Sequence, residues 1–188
     1  MAIQTTREKI AASFDVLGSD LGIKNKMSAP RLEKVVVSTG IGSITDQNKL
    51  KLIPEALALI TGQSAAPRQA KKSIAAFKSR QGDVIGYQVT LRGEQMYSFV
   101  DKLVNIALPR TKDFRGIPRK VVDQGGNMTI GIKEHTIFPE TSDEDIRNIF
   151  GFGITLVSNV DGKQNATKFY EYLGVPFVKA EEGAEKKK

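Results

Sequence analysis

The chain contains no cysteine. That excludes disulfides, thiolate metal sites and cysteine nucleophiles, and it fits a reducing compartment. No apolar run approaches the ~20 residues a membrane helix needs. The first residues, MAIQTTREKIAASF, include acidic Glu8 and no apolar signal core, so secretion is not expected. There is one histidine, His135, and a triad or imidazole metal site would have to be built around it alone. Acids are missing from a whole segment. No Asp or Glu lies between Ala56 and Gly82, where Arg68, Lys71, Lys72, Lys78 and Arg80 all fall. A segment of one charge sign repels itself unless an anion comes near, which points to a phosphate backbone.

The 188 residues carry a net charge of +7 and are 40% hydrophobic. That is enough apolar content for a core and a basic balance that favours nucleic acid partners. The expectation is one domain over residues 1–179, followed by a charged, low-complexity tail at 180–188. A cytoplasmic, soluble protein is expected, with no membrane partner.

Hydrophobic periodicity places the elements. Thr5-x-x-Glu8 has capping-box spacing before a helical stripe of Ile10, Phe14, Leu17 and Leu21. Pro30 and its neighbours break it, and LEKVVVSTGIG reads as a strand. Asp46 caps a second helix with Leu50, Ile53, Leu57 and Ile60 on one face. Pro54 is expected to kink that helix or to move its start later, and Gly62 to stop it. Lys71 to Gly82 has no apolar period and reads as a long loop between strands. From Val84 to Arg92 the residues alternate, with Tyr87, Val89 and Leu91 on one side and Gln88, Thr90 and Arg92 on a wet side. A strongly amphipathic helix follows through Met96, Phe99, Val100, Leu103, Val104 and Ala107 to Pro109. RTKDFRGIPRK (110–120) is a second basic loop. Met128, Ile130 and Ile132 mark a strand, Thr141-x-x-Glu144 starts a short helix with Ile146 and Ile149, residues 154–160 form a strand, and Asp161-Gly162 turns into a helix with Ala166, Phe169, Tyr170 and Leu173. The mixture is not strictly alternating. It predicts an α+β fold, a mainly antiparallel sheet with helices packed on one face and long basic loops. The other face of such a sheet is a common docking platform for RNA.

Catalytic motifs fare poorly. Gly40-Ile41-Gly42 follows a strand, but the dinucleotide fingerprint needs a third glycine where Thr45 stands, and an acid about 20 residues on, where the acid-free stretch lies. The plainer reading is a strand exit where glycine supplies a positive φ or a close approach. Asp161-Gly162-Lys163-Gln164 lacks the first glycine and the hydroxyl of a P-loop. Asp143, Glu144 and Asp145 sit at a helix start, where acids favour the dipole. Three function classes are to be told apart: a structural rRNA-binding protein, a nucleotide-binding enzyme built on Gly40-Ile41-Gly42, and an RNA chaperone with no fixed site.

The blocks PRLEKVVVSTGIG, ITGQSAAPRQAKKSIAAFKSRQGDVIGYQVTLRG, ALPRTKDFRGI and GNMTIGIKEHTIFPE run in order over about residues 29–140. Together they resemble the bacterial-type ribosomal large-subunit protein five family, the 5S rRNA-binding ribosomal proteins. The ending Gly174–Phe177 is compatible with that family. The resemblance implies a non-enzymatic protein of the central protuberance, without metal or cofactor, that holds 5S rRNA and contacts 23S rRNA. It implies a basic loop that reaches P-site tRNA. It also implies a bridge to a small-subunit head protein, beside neighbouring large-subunit proteins. By matching motif, the 5S rRNA residues are Ser38, Gln63, Thr90 and Arg92. The tRNA-facing residues are Lys71, Lys72, Ser73, Phe77, Lys78, Arg80 and Gln81, and the bridge residues are Arg110, Lys112, Arg115 and Arg119. Ser38 departs from the family's usual Asn, and one hydroxyl offers fewer hydrogen bonds than an amide.

Overall fold

A computed structural model describes residues 4–42, 44, 46–77, 79–112, 114–141 and 149–178. Lys78, the helix start with its three acids (apart from Ile149, which is not helical) and the tail at 180–188 lie outside the described residues.

The first helix, α1 (Thr6–Leu17), opens with the expected reciprocal box: Thr5 Oγ1 accepts from Glu8 N–H, and the Glu8 carboxylate accepts from Thr5 N–H. Its buried Thr6 donates both its N–H and its hydroxyl to Asp101, at 2.8 and 2.6 Å, which ties α1 to the third helix. Strand β1 (Leu32–Gly40) alternates buried Val35 and Val37 with outward Val36 and Ser38.

Helix α2 (Gln47–Thr61) is capped by Asp46 and ended by Gly62 in the left-handed region, φ 72°. It starts well before Pro54 and keeps that proline inside, which corrects the expectation of a later start. An interior proline costs ~3 kcal/mol or more. Burial of the α2 face formed by Ile53, Ala56, Leu57 and Ile60 outweighs it at roughly 1.5–3 kcal/mol per large side chain.

Strand β2 (Ala66–Gln69) is a four-residue strand that the pattern did not show, because all four residues are exposed. A polar strand at a sheet edge has no apolar alternation to read, and an edge tolerates its Pro67. Strand β3 (Val84–Leu91) and helix α3 (Gly93–Lys102) follow, and α3 runs into a π-helical turn at Leu103–Ala107. Strand β4 (Met128–Ile132), strand β5 (Phe152–Ser158, two residues earlier than the alternation suggests) and helix α4 (Lys163–Leu173) complete the chain.

The five strands form one sheet in the order β2-β3-β1-β5-β4, with every pairing antiparallel. Val35, Val37, Val89, Leu91, Met128, Ile130, Ile154 and Leu156 point to one face and share a single core with Ile53, Leu57, Phe99, Val100, Leu103, Phe169 and Tyr170 of the helices. His135 belongs to that core. It is fully buried, stacks on Phe150 at 4.3 Å, and accepts the Phe150 N–H at Nδ1.

Candidate RNA interface

The register of the sheet decides which side chains share its uncovered face. Ser38 pairs with Gln88 and with Gly153, Val36 with Thr90 and Thr155, and Gly40 with Gly86. Cross-strand partners point the same way. Ser38 and Thr90 therefore stand on one outer face, two residues apart along the pairing. Arg92 follows Thr90 by one period. Its guanidinium makes only a 3.5 Å contact to the Glu33 carbonyl and is otherwise exposed. Gln63 lies just past the left-handed Gly62, with its backbone fastened by Thr61 Oγ1 and its side chain exposed. Three residues later the chain joins the sheet, with Ala66 opposite Gln88. The structure thus brings Ser38, Thr90 and Arg92 together on the face and puts Gln63 at the approach to it.

Three neighbours on that face escaped the sequence reading as site residues. Arg68 pairs opposite Gly86 and donates from Nε to Gln88 Oε1 at 2.7 Å, beside Ser38. Thr129 and Thr155 bond to each other at 3.1 Å further along. The signal for Arg68 was present in its charge. Its direction depends on pairing that the sequence does not display.

The basic segment is more ordered than a free loop. Its base is closed by Ala70 N–H to the Asp83 carbonyl (2.8 Å) and Gly82 N–H to the Ala70 carbonyl (3.0 Å). Ile74 and Ser79 exchange backbone hydrogen bonds around a short 3-10 turn at Ala75–Phe77. Ser73 Oγ accepts the Gln81 N–H at 3.0 Å, so that hydroxyl helps hold the loop. Lys71, Lys72 and Arg80 project into solvent and form no ion pair among the described residues. Phe77 is 75% exposed among them, an aromatic face with nothing to cover it.

The second basic loop is pinned at Ile117, whose N–H donates to the Pro176 carbonyl and whose carbonyl accepts from Val178 N–H. Gly116 has φ 103°, and a Cβ there would lie 2.8 Å from Val178 N. Arg110 and Arg115 are exposed. Lys112 sits 3.7 Å from Glu134, and Arg119 pairs with Glu171 of α4 at 2.6 Å, so both already have an acid nearby.

Gly40 and Gly42 need correction. Neither has a positive φ, and a Cβ on either would meet nothing within 4 Å. The close approach is across the pairing, where a Cβ on Gly86 would come within 2.6 Å of the Thr39 carbonyl. The antiparallel sheet around β1 also lacks the parallel βαβ unit that a dinucleotide site requires. Among the described residues no group of acids or His could hold a metal ion, and no helix is long and apolar enough to cross a membrane.

The family model for ribosomal protein L5 matches residues 25–80, and the model for the C-terminus of the same ribosomal family matches residues 84–177. The chain is 45% identical over 174 residues to the large ribosomal subunit protein uL5 of Sulfurimonas denitrificans, covering 92% of this chain and 96% of that relative. The chain belongs to the ribosomal protein L5 family. Its uL5 relatives from Wolinella succinogenes and Helicobacter pylori are 46% and 47% identical over 164 residues each, 87% of this chain and 89% and 91% of theirs. The two L5 family segments interleave in one sheet, since β1 from the first lies between β3 and β5 from the second.

Proposed function

We propose that this chain holds 5S rRNA against the open face of its sheet through Ser38, Gln63, Thr90 and Arg92, with Arg68 as an added contact. As a member of the L5 family it is a structural constituent of the large ribosomal subunit and has no enzymatic role; its partners are rRNA and ribosomal proteins, in the cytoplasm of a bacterial cell. The observation that supports the finer reading is the register that sets Ser38 beside Gln88 and Val36 beside Thr90 on one uncovered face. Strand residues present hydroxyl, amide and guanidinium groups in fixed directions, suited to 2′-hydroxyls, base edges and phosphates. In the same reading residues 1–179 act as one unit that also contacts 23S rRNA. The loop of Lys71, Lys72, Ser73, Phe77, Lys78, Arg80 and Gln81 reaches P-site tRNA. Arg110, Lys112, Arg115 and Arg119 meet a small-subunit head protein, and of these Arg110 and Arg115 are the freer pair.

A chemical footprint of the chain on 5S rRNA, repeated with residues 71–80 replaced by a short Gly-Ser turn, tests the division of labour. The expected result is an unchanged 5S footprint and weaker retention of P-site tRNA on reconstituted ribosomes. Loss of the footprint in a folded loop variant would overturn it. Retention in large subunits through a high-salt wash separates a fixed site from a chaperone.

A further inference from the structure

The two edges of the sheet are built differently. The β2 edge carries Pro67, exposed Arg68 and a register irregularity between Arg68 and Gln69. Those are the devices that keep a strand edge from pairing with another chain. The β4 edge, Met-Thr-Ile-Gly-Ile, has no charge, no proline and no irregularity in its pairing with β5.

Part of that edge is unsatisfied. Asp123 N–H donates to the Asn127 carbonyl at 2.9 Å, and Val122 bridges Met128. The Asn127 carbonyl therefore points away from β5. In an antiparallel ladder the backbone groups alternate in direction. Those of Thr129 and Gly131 consequently point outward too. Among the described residues the Gly131 N–H and C=O have no hydrogen-bond partner. Beside them lies a pocket of about 620 Å³ between β4 and the 108–118 loop. Its apolar lining includes Phe114, Ile117, Val121, Ile130 and Ile132. Arg110, Lys112 and Lys133 line it as well. Glu134 offsets Lys112 at 3.7 Å, while Arg110 and Lys133 form no ion pair among the described residues.

We infer that the β4 edge takes an extended segment of a partner protein, in which acidic residues flank an apolar side chain that fills this pocket. The outward donor and acceptor of Gly131 match another peptide backbone, whereas an alternate side chain reads the pocket beside the edge. The cationic rim selects acids on the incoming segment. An apolar floor next to unpaired main-chain groups favours a peptide over RNA here. The pocket shares Arg110 and Lys112 with the intersubunit contact proposed above, and the Gly131 readout tests the β4 edge separately from that role.

The probe is a blocked heptapeptide alternating aspartate with valine or isoleucine, added to the full chain and followed by NMR hydrogen exchange. Gly131 N–H exchange should slow by at least about tenfold, with shifts at Ile117, Ile130 and Ile132. The same peptide methylated on every backbone nitrogen should give no protection, because it loses the donors to the Gly131 carbonyl and its methyl groups block strand pairing while the side chains are kept. Gly131→Pro should abolish binding without unfolding, since its N–H faces outward and an edge tolerates proline. The pair Arg110→Glu and Lys133→Glu should weaken binding about tenfold, ~1.4 kcal/mol. The inference is overturned if the heptapeptide fails to bind, if the methylated peptide protects equally, or if a ten-nucleotide oligouridylate protects Gly131 where the peptide does not. If Gly131→Pro misfolds, the methylated peptide decides.

Discussion

The open face of the sheet and the Lys71–Gly82 loop are adjacent in sequence and present polar groups in opposite ways. On the face, Ser38, Gln88, Thr90 and Arg68 are aimed by cross-strand pairing with β1, β2 and β3, over a core in which Val37, Val89 and Leu91 are buried. On the loop, Lys71, Lys72 and Arg80 are exposed, and the loop takes its shape from backbone bonds such as Ile74 to Ser79 and from the Ser73 hydroxyl and Asp83 carboxylate, which accept the Gln81 and Arg80 N–H groups. Strand side chains have fixed directions and can discriminate RNA shape. Loop cations supply attraction that follows charge and is screened by salt. The contrast teaches that uniform positive charge, the most conspicuous feature of the sequence, comes without the fixed side-chain directions that pairing gives the sheet face.

The comparison breaks most completely if the platform is lost. Gly126 has φ 79°, and a Cβ there would fall 1.7 Å from the Val160 carbonyl. Its carbonyl also accepts from Ser158 Oγ at 2.9 Å and from Tyr170 Oη at 3.0 Å. Gly126→Ala should cost more than about 4 kcal/mol in urea unfolding and remove structured 5S rRNA binding, leaving only salt-sensitive attraction. A variant that stays fully stable contradicts this packing.

A second test loosens the underside of the platform with pH. Burial, aided by the nearby Asp123 carboxylate, pushes the Tyr170 phenol from 10.0 up to about 12. The raised value means that the folded state prefers the neutral phenol. Its contribution is complete below pH 10 and is lost as pH rises through 12. At the top of that window the loss approaches 2–3 kcal/mol, from ~1.4 kcal/mol per unit. Denaturant melts from pH 9 to 12 should show this decline, and Tyr170→Phe should flatten it. An identical decline in the Phe variant would assign it to other groups.

On the face itself, Arg92→Ala should weaken 5S rRNA binding by roughly 1–3 kcal/mol, the scale of a charged hydrogen bond, without lowering the melting temperature. Filter binding with a circular-dichroism melt checks it, and unchanged affinity in a folded variant removes Arg92 from the site. Ser38→Asn should tighten 5S binding by about 0.5–1.5 kcal/mol by adding an amide donor. A loss of affinity would show that the face is tuned to the shorter side chain.

The smallest expected effect separates the two regions by salt. Lys71→Ala with Lys72→Ala should leave 5S affinity at one salt concentration nearly unchanged. In tRNA binding it should reduce the slope of log K against log salt by about 1.5, from ~0.7–0.9 per phosphate contact. A matching fall in the 5S slope would place the loop on 5S rRNA.

Much of this surface was legible wherever the signal is local. The Thr5 capping box, the Gly62 stop and the alternation through Tyr87, Val89 and Leu91 are read from neighbours a few residues apart, and each stands as expected. Alternation alone separated Thr90 from Leu91. Where the physics is non-local the reading ran out. Strand β2 is a strand because Ala66 and Pro67 find Gln88 and Tyr87, and its own residues are all exposed. Pro54 stays inside α2 because tertiary burial outweighs a local rule. Arg68 is charge in the sequence and becomes a face residue only when it lies opposite Gly86.

The sequence by itself determined the chemistry: a basic, cysteine-free chain with one wet strand face, an acid-free segment and the motifs of the L5 family. The tertiary structure alone decided adjacency: Ser38 beside Gln88, Arg68 beside them, and a β4 edge left open at Gly131, among the described residues, beside a cationic pocket. Side-chain type and period are properties of residues a few positions apart. Strand order and register depend on residues more than a hundred positions apart finding one another, as Ser38 does with Gly153.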